Sequence, residues 1–438
     1  MKNFTFIILL AACQLHSQDR ITGELFATRS EVIAQNGMVA SSHPLATQIG
    51  IEILKNGGNA IDAAIAVNAA LGLMEPTGCG IGGDLFAIVW DPKTKKLHGL
   101  NASGPSPHSL SLDYFLDNDY EGIPFYGALP VSVPGAVAGW FALHRKFGNL
   151  SMDQILSPAI QYAEKGFPLT ELIAHYMERS VERFIKSNYP NIKETYLQPN
   201  EGKLAVEGEI FKNPLLAKTY RTIANKGEQG FYSGTIARAI ADEVQQQGGF
   251  LTTEDLSSYK VEWIEPVSIN YRGYDIWELP PNGQGIAALQ MLKILEGFNF
   301  SEIDFGSSEH LHLFTEAKKL AFEDRAKFYA DMAFAKVPMK TLLSDAYADQ
   351  RRALIQDKAS MYSAGQISAG ETIYMTVADK EGYMVSLIQS NYYGMGSGVV
   401  PEGVGFMLQN RGALFSLDEN HANAVSYTHL TLPTTYEV

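Results

Sequence analysis

Residues 59–101 restrict the fold more than any other stretch. Asn59 stands where an N-cap belongs, and Ala60, Ala63, Ala64, Val67 and Leu71 follow at helical spacing. A helix this rich in alanine has little side-chain bulk on its contact face, so it suits close packing against a sheet. Pro76 ends it. Residues 77–84 form a glycine loop, 85–90 read as an apolar strand, 91–95 as a hairpin turn and 97–101 as the returning strand. Upstream, Leu45, Ile49, Ile53 and Leu54 make one stripe of an earlier helix that Gly57-Gly58 stops. The glycine loop precedes a strand, and no helix N-terminus follows it to hold an anion. Its glycines are therefore expected to let backbone approach backbone closely, not to cradle phosphate.

The second informative stretch is residues 365–382. A polar, glycine-containing run reaches Glu371, and Thr372 opens an alternating pattern. Thr372, Tyr374 and Thr376 fall on one strand face, Ile373, Met375 and Val377 on the other, and 379–382 form the closing turn. A threonine heading a strand suits one chemistry in particular. Cleavage of the Glu371–Thr372 bond makes Thr372 an N-terminus whose hydroxyl is a nucleophile and whose own α-amine takes the proton. A free α-amine titrates near pKa ~8, far below lysine. The pattern alone is also met in ordinary strands.

At 438 residues, 46% hydrophobic and 19% charged, the chain has enough material for a large layered core. A net charge of −14 argues against a nucleic-acid partner. Residues 1–18 read as a signal peptide, with Lys2 as its positive end and residues 4–12 as its apolar run. Ordinary cleavage near Ser17-Gln18 is the preferred reading. The alternative is a lipoprotein box ending at Cys13, which would place a lipid anchor on Cys13 and hold the protein at the membrane. Either way export to the periplasm or beyond is expected. Cys79 is then the one cysteine certain to remain, read as a buried structural thiol with no intrachain disulfide.

From 152 to 345 the pattern is mainly helical. Helices are expected over 154–165, 214–225 (capped by Asn213, with Pro214 at its first position), from 233 onward (capped by Ser233), 286–295 and 309–331. Residues 269–272 and 274–279 form a hairpin around Gly273. On the longest helix Leu313, Ala317, Leu320, Ala321 and Phe328 read as buried, and the charges over 318–327 as a solvated face. His310 and His312, two apart, have poor metal spacing.

Taken in order, Met38-Val-Ala-Ser-Ser-His-Pro, Asn56-Gly-Gly-Asn-Ala-Ile-Asp, Gly80-Ile-Gly-Gly-Asp, Val133-Pro-Gly, Phe231-Tyr-Ser-Gly-Thr, Pro280-Pro-Asn-Gly-Gln-Gly and Glu316-Ala-Lys-Lys-Leu-Ala-Phe resemble the γ-glutamyltransferase (γ-glutamyltranspeptidase) family of N-terminal-nucleophile hydrolases over roughly residues 37–425. The resemblance implies an α/β (α+β) fold, the four-layer αββα sandwich, and a precursor that cleaves itself into large and small subunits. It divides the chain into a large-subunit region (19–371), the start of a small-subunit region (372–425) and a non-family tail (426–438). Thr372 falls on the position of the family's nucleophile, with Glu371–Thr372 as the cleavage site and Thr376 as an assisting hydroxyl. The implied reaction is transfer of a γ-glutamyl or related acyl group from an amide to water or an amine acceptor. No metal or organic cofactor is implied.

Departures from the family pattern cluster on substrate recognition. Ser103 stands where the family has an arginine for the substrate's α-carboxylate. Arg411 and its neighbours replace a Gln and an Asp that hold the α-amino end, and Tyr374 replaces a histidine. Asn391 matches a substrate-side residue with a spacing one short. Two charge-assisted contacts of about 1.5–3 kcal/mol each are missing, so glutathione-like substrates are expected to bind more weakly, by a few powers of ten. Ser103, Asn391 and Arg411 are the candidate substrate-binding residues, with Arg411 a candidate for a carboxylate. The family's Lys-Arg-Pro run, serine-rich loop and oxyanion glycine pair find no match in 426–438, so the chain reads as C-terminally incomplete and its own activity as doubtful. The rivals to the enzyme reading are a non-catalytic periplasmic binding protein on the same scaffold and an inactive fragment.

Overall fold

The computed structural model describes residues 31–360 and 371–424. The leader with Lys2 and Cys13, residues 361–370 and residues 425–438 lie outside the described residues, as do the expectations of export, lipidation and a foreign tail that rest on them. Residues 31–36 form no helix or strand, and the chain from Gly37 onward makes one compact unit.

The strands are β1 (Gly37–Ala40), β2 (Asp84–Asp91), β3 (Lys96–Ala102), β4 (Glu262–Ile264), β5 (Val267–Tyr271), β6 (Tyr274–Glu278), β7 (Glu371–Asp379) and β8 (Met384–Tyr392). Six of them form one antiparallel sheet in the order β1-β7-β8-β2-β3-β4. Hairpin β5–β6 stands apart, with Gly273 in its turn at φ +91°, as the sequence requires. The α+β class holds. Among the described residues there is one large sheet, where a four-layer sandwich calls for two; β5–β6 and a two-residue pair, Phe167–Pro168 with Ile210–Phe211, are the other strands.

Helices α1 (Pro44–Lys55), α2 (Ala60–Met74), α3 (Ala136–Phe147) and α4 (Met152–Lys165) gather on one side of the sheet. Every residue of α2 is buried, because it lies between β7–β8 and the helices α1 and α4. Its start is fixed by a capping box: Asn59 Oδ1 accepts from the Asp62 N–H, and Asp62 accepts from the Asn59 N–H. Asp379 adds a tertiary tie, its two oxygens accepting from the Ala60 N–H (2.8 Å) and the Tyr383 N–H (3.0 Å). The carboxylate thereby sits at the positive end of α2 and closes the β7–β8 turn at once.

The predicted alternation in β7 is realised: Ile373, Met375 and Val377 are buried under α2, while Thr372 and Tyr374 are exposed. That outer face is mixed beyond Thr372: Tyr374 is opposite Ile388, Ile388 opposite Phe86 and Met384 opposite Trp90, with Thr376 opposite Ser386 between them.

Further along are α5 (Glu171–Lys186), α6 (Pro214–Lys226), α7 (Gly234–Gln246), α8 (Gly285–Leu295), α9 (Ser308–Phe328) and α10 (Asp345–Arg352). Asn213 caps α6 through the Leu216 N–H, as expected; Ser233 holds the N-cap position of α7 without a side-chain bond. The solvated face read for α9 needs correction. Asp324 is buried, accepting from Gln290 and Tyr347 (2.8 Å each) and pairing with Arg351. Glu316, in the preceding turns, is also buried and pairs with Lys319. Helices α8 and α10 cover this side of α9, so Glu316, Glu323 and Asp324 are paired there instead of hydrated, while Lys318 and Lys327 stay exposed as read. His310 packs on Phe314 (4.7 Å between centroids), and His312 bonds the Gln356 carbonyl.

Candidate active site

Thr372 is the second residue of β7, at the end of the sheet where β1 has already turned away into α1. Register places it. The turn after Asp379 pairs Ala378 with Met384 and Ile373 with Gln389, which sets Thr372 beside Ser390. Thr372 Oγ1 donates to Ser390 Oγ at 3.2 Å. Ser390 Oγ also accepts from the Tyr392 N–H (2.8 Å), and the Ser390 N–H donates to buried Asp84 (3.1 Å). The ladder is irregular between Gln389 and Tyr392, and Tyr392 takes φ +80°. That irregularity turns the Tyr392 N–H onto the serine hydroxyl instead of a neighbouring strand. The sequence reading did not single out Ser390. Counting back from the 379–382 turn would have paired it with Thr372.

A cleft of about 410 Å³ opens beside Thr372, lined among others by Ser42, His43, Glu75, Gly78, Leu172 and Tyr176. Burial raises the Glu75 carboxyl above the usual glutamate range, partly opposed by the Ser42 hydroxyl that donates to it at 2.7 Å. His43 caps α1, its Nδ1 accepting from the Leu45 N–H, and burial lowers its pKa. Nδ1 as acceptor puts the proton on Nε2, which is buried without a partner among the described residues. Gly78 closes the floor: a Cβ there would meet Ile373 Cγ2 at 3.2 Å.

The remaining candidates separate by face. Ser390, Asp84 and Ser103 follow one another across β8, β2 and the end of β3, on the outer side that carries Thr372. Ser103 accepts from Asn282 Nδ2 (3.0 Å) and is buried. Arg411 pairs through Nε with Asp84 and lies 5.1 Å over the Tyr392 ring, leaving its side chain 29% exposed. It is therefore already matched by the carboxylate of Asp84, a residue two strands or about 10 Å from Thr372. Burial raises the Asp84 carboxyl, with Arg411 and the Ser390 N–H acting the other way. Asn391 points to the opposite side, buried beneath the glycine loop, donating weakly to the Met395 carbonyl (3.4 Å). Thr376 shares the face of Thr372 but lies four residues along the strand, about 13 Å away. Tyr374 bonds Ser386 (3.0 Å) at the surface. The backbone of Glu371 is in β7. The structure thus brings Thr372 together with Ser390, not with Thr376 or Asn391.

The glycine loop props this corner from below. Gln389 Nε2 donates to the Gly80 carbonyl (2.6 Å), Asn68 Nδ2 to Gln389 Oε1 (2.9 Å), and Trp140 Nε1 to Asn68 Oδ1 (2.7 Å). Gly83 runs so close to β8 that a Cβ would stand 2.3 Å from the Ser390 carbonyl oxygen. Buried Cys79 packs in the same loop. Among the described residues no group of three or more His, Cys, Asp or Glu could hold a metal.

A threonine heading a strand over a glycine loop is one of several arrangements for acyl transfer, and comparison decides between them. The profile of the family described as Gamma-glutamyltranspeptidase matches residues 46–431. The chain belongs to that family. The "Glutathione hydrolase-like YwrD proenzyme" of Bacillus subtilis is 38% identical over 395 residues, covering 90% of this chain and 74% of the relative. The "Acylase ACY 1 proenzyme" of Pseudomonas sp. strain V22 is 36% identical over 405 residues, covering 89% and 71%. Among solved structures, the cephalosporin acylase from Bacillus halodurans superposes with a TM-score of 0.84 at 44% identity, covering 93% of this chain and 76% of that one. The gamma-glutamyltranspeptidase of Helicobacter pylori gives 0.70 at 34% identity, with 76% and 95% covered. As a gamma-glutamyltranspeptidase-family member the chain is an enzyme, a transferase or hydrolase of γ-glutamyl or related acyl groups.

Proposed function

We propose that Thr372 is the nucleophile of an acyl-amide hydrolase or transferase, and that it is freed by self-cleavage of the precursor between Glu371 and Thr372. The observation that carries this is the Thr372–Ser390 hydrogen bond at the end of the sheet beside the 410 Å³ cleft. In the precursor the Thr372 hydroxyl attacks the Glu371 carbonyl carbon. The peptide C–N bond breaks in favour of an ester, and water hydrolyses that ester to leave a free α-amine on Thr372. In turnover the same hydroxyl attacks the substrate amide, passing its proton through the α-amine to the departing amine. Water or a second amine then takes the acyl group from the threonine ester. Proenzyme names among the relatives support the processing step. On this reading residues 19–371 and 372–425 belong to the large and small subunits.

The substrate we assign is a γ-glutamyl-like amide whose acyl end carries a carboxylate. Arg411 holds Asp84 through Nε and supplies the cation through its remaining guanidinium nitrogens, its side chain being 29% exposed, while Ser103, Ala413 and Leu414 offer no carboxylate for an ammonium group. Relatives named as acylases as well as glutathione hydrolases accord with a relaxed acyl end. Initial rates on γ-glutamyl p-nitroanilide and on its analogue lacking the α-amine test this. The account predicts the higher kcat/KM for the analogue, and a clear preference for the γ-glutamyl compound contradicts it. Thr372→Ala is expected to abolish both cleavage and turnover. Turnover that survives this substitution rules out Thr372 as nucleophile. We further propose export, with ordinary signal cleavage as the main route and lipidation at Cys13 as the second. Fractionation of expressing cells tests it, and protein confined to the cytoplasm would count against it.

A further inference from the structure

A second cleft, of about 500 Å³, lies between the C-terminal turn of α5, residues 187–190 and the loop at 125–127. Arg183 reaches into it and donates through Nη1 to Tyr126 Oη, with its guanidinium carbon 5.3 Å from the Tyr126 ring centroid. Among the described residues no carboxylate lies within ion-pair distance of Arg183, although the chain holds 48 acidic residues against 34 lysines and arginines. Burial holds the Tyr126 phenol above its usual pKa, so Arg183's partner is neutral and its charge is uncancelled. A part-buried guanidinium against a neutral phenol keeps its charge free to meet an anion.

Tyr126, Phe184 and Tyr189 form the aromatic part of the lining, with Ser187, Asn188 and Gln247 polar beside them. Tyr126 meets Phe184 edge-on (5.6 Å), and Phe184 meets Tyr189 likewise (5.3 Å). Behind the lining residues packs the loop that follows β8: Tyr393 lies 6.0 Å from Tyr126, the Gly127 N–H donates to the Ser397 carbonyl, and Gly398 presses against Phe184 and Tyr189. Asn410 ties that loop to 125–127, donating to the carbonyls of Phe125 (2.7 Å) and Gly396 (3.2 Å). This cleft therefore has no lining residue in common with the one beside Thr372, but the loop behind it continues from the strand that carries Ser390.

We infer that this cleft is a second binding site, for a carboxylate borne on a flat aromatic body. The carboxylate pairs with Arg183, and the ring lies against the part-exposed Tyr126 and Tyr189, which buried Phe184 holds in place. The inference does not depend on Thr372 being the nucleophile.

Calorimetric titration of phenylacetate into the full chain tests it, with benzyl alcohol as the neutral control. Saturable phenylacetate binding is expected, with at least tenfold weaker binding of benzyl alcohol. Arg183→Ala is expected to weaken phenylacetate about ten- to a hundredfold, the range of one charge-assisted hydrogen bond. Should the alanine chain fail to fold, Arg183→Gln keeps the stem and a donor to Tyr126 and is expected to show the same loss. Thr372→Ala is expected to bind phenylacetate as tightly as the parent, which separates this site from the catalytic reading. No saturable binding, equal binding of the alcohol, or undiminished binding by the folded Arg183 variant each overturns the inference.

Discussion

A threonine hydroxyl is a poor nucleophile at neutral pH unless it is oriented and relieved of its proton. On the proposed role of Thr372, the orientation comes from Ser390, whose own hydroxyl accepts from the Tyr392 N–H and from Thr372 Oγ1. Ser390→Ala removes that acceptor and frees the Thr372 rotamer. Its kcat is expected to fall about a hundredfold, the scale of a misplaced reacting group, with KM little changed; an unchanged kcat would show that Ser390 only packs. Glu75 gives a separate test through pH. Burial raises its folded pKa above the unfolded value, so its contribution to stability is complete below the unfolded pKa and is lost as pH rises through the folded one. Glu75→Gln is expected to remove that component. The fall in Tm on going upward from about pH 4.5 should be shallower in the variant, and parallel curves would refute the assignment. At this scale the sequence disclosed Thr372 and its alternation, because a local period of two needs no tertiary knowledge. It could not disclose the Asp84–Arg411 pair, since those residues are brought together only by β8, β2 and the loop beyond.

At the scale of elements, α2 and the glycine loop were the most legible features. Asn59, the alanines and Pro76 state the start, the contact face and the end of one helix within a short span, and the structure adds only what lies on each side. The close approach expected of the glycines is literal at Gly83, which faces the Ser390 carbonyl. Gly83→Ala is expected to push β8 outward, lowering both Tm and kcat, and normal activity in a folded variant would contradict the tight contact. Asn68, inside α2, was invisible in the pattern because its partners Trp140 and Gln389 come from distant elements. Asn68→Leu leaves a buried indole N–H and an amide oxygen unpaired, at a cost of about 1–3 kcal/mol each. Denaturant unfolding should show that loss without a change of m-value. The misread face of α9 has the same origin: a charged stripe looks solvated until α8 and α10 are laid over it.

At the scale of the whole molecule, one large antiparallel sheet among the described residues carries the inferred chemistry at its end, with α2 behind it. The chain covers 74% of the Bacillus subtilis relative and 76% of the cephalosporin acylase structure. Ordered motifs from residue 38 to residue 322 made the family legible, whereas Arg411, proposed for the acyl end, has a partner that only the folded chain reveals. Thr372 is proposed to become an N-terminus through the protein's own chemistry. Intact-mass analysis and N-terminal sequencing of the purified full chain, beside its Thr372→Ala variant, test it most directly. The account predicts a fragment beginning at Thr372 in the parent and a single uncut chain in the variant. A parent that stays uncut, or a variant cut at the same bond, would contradict it.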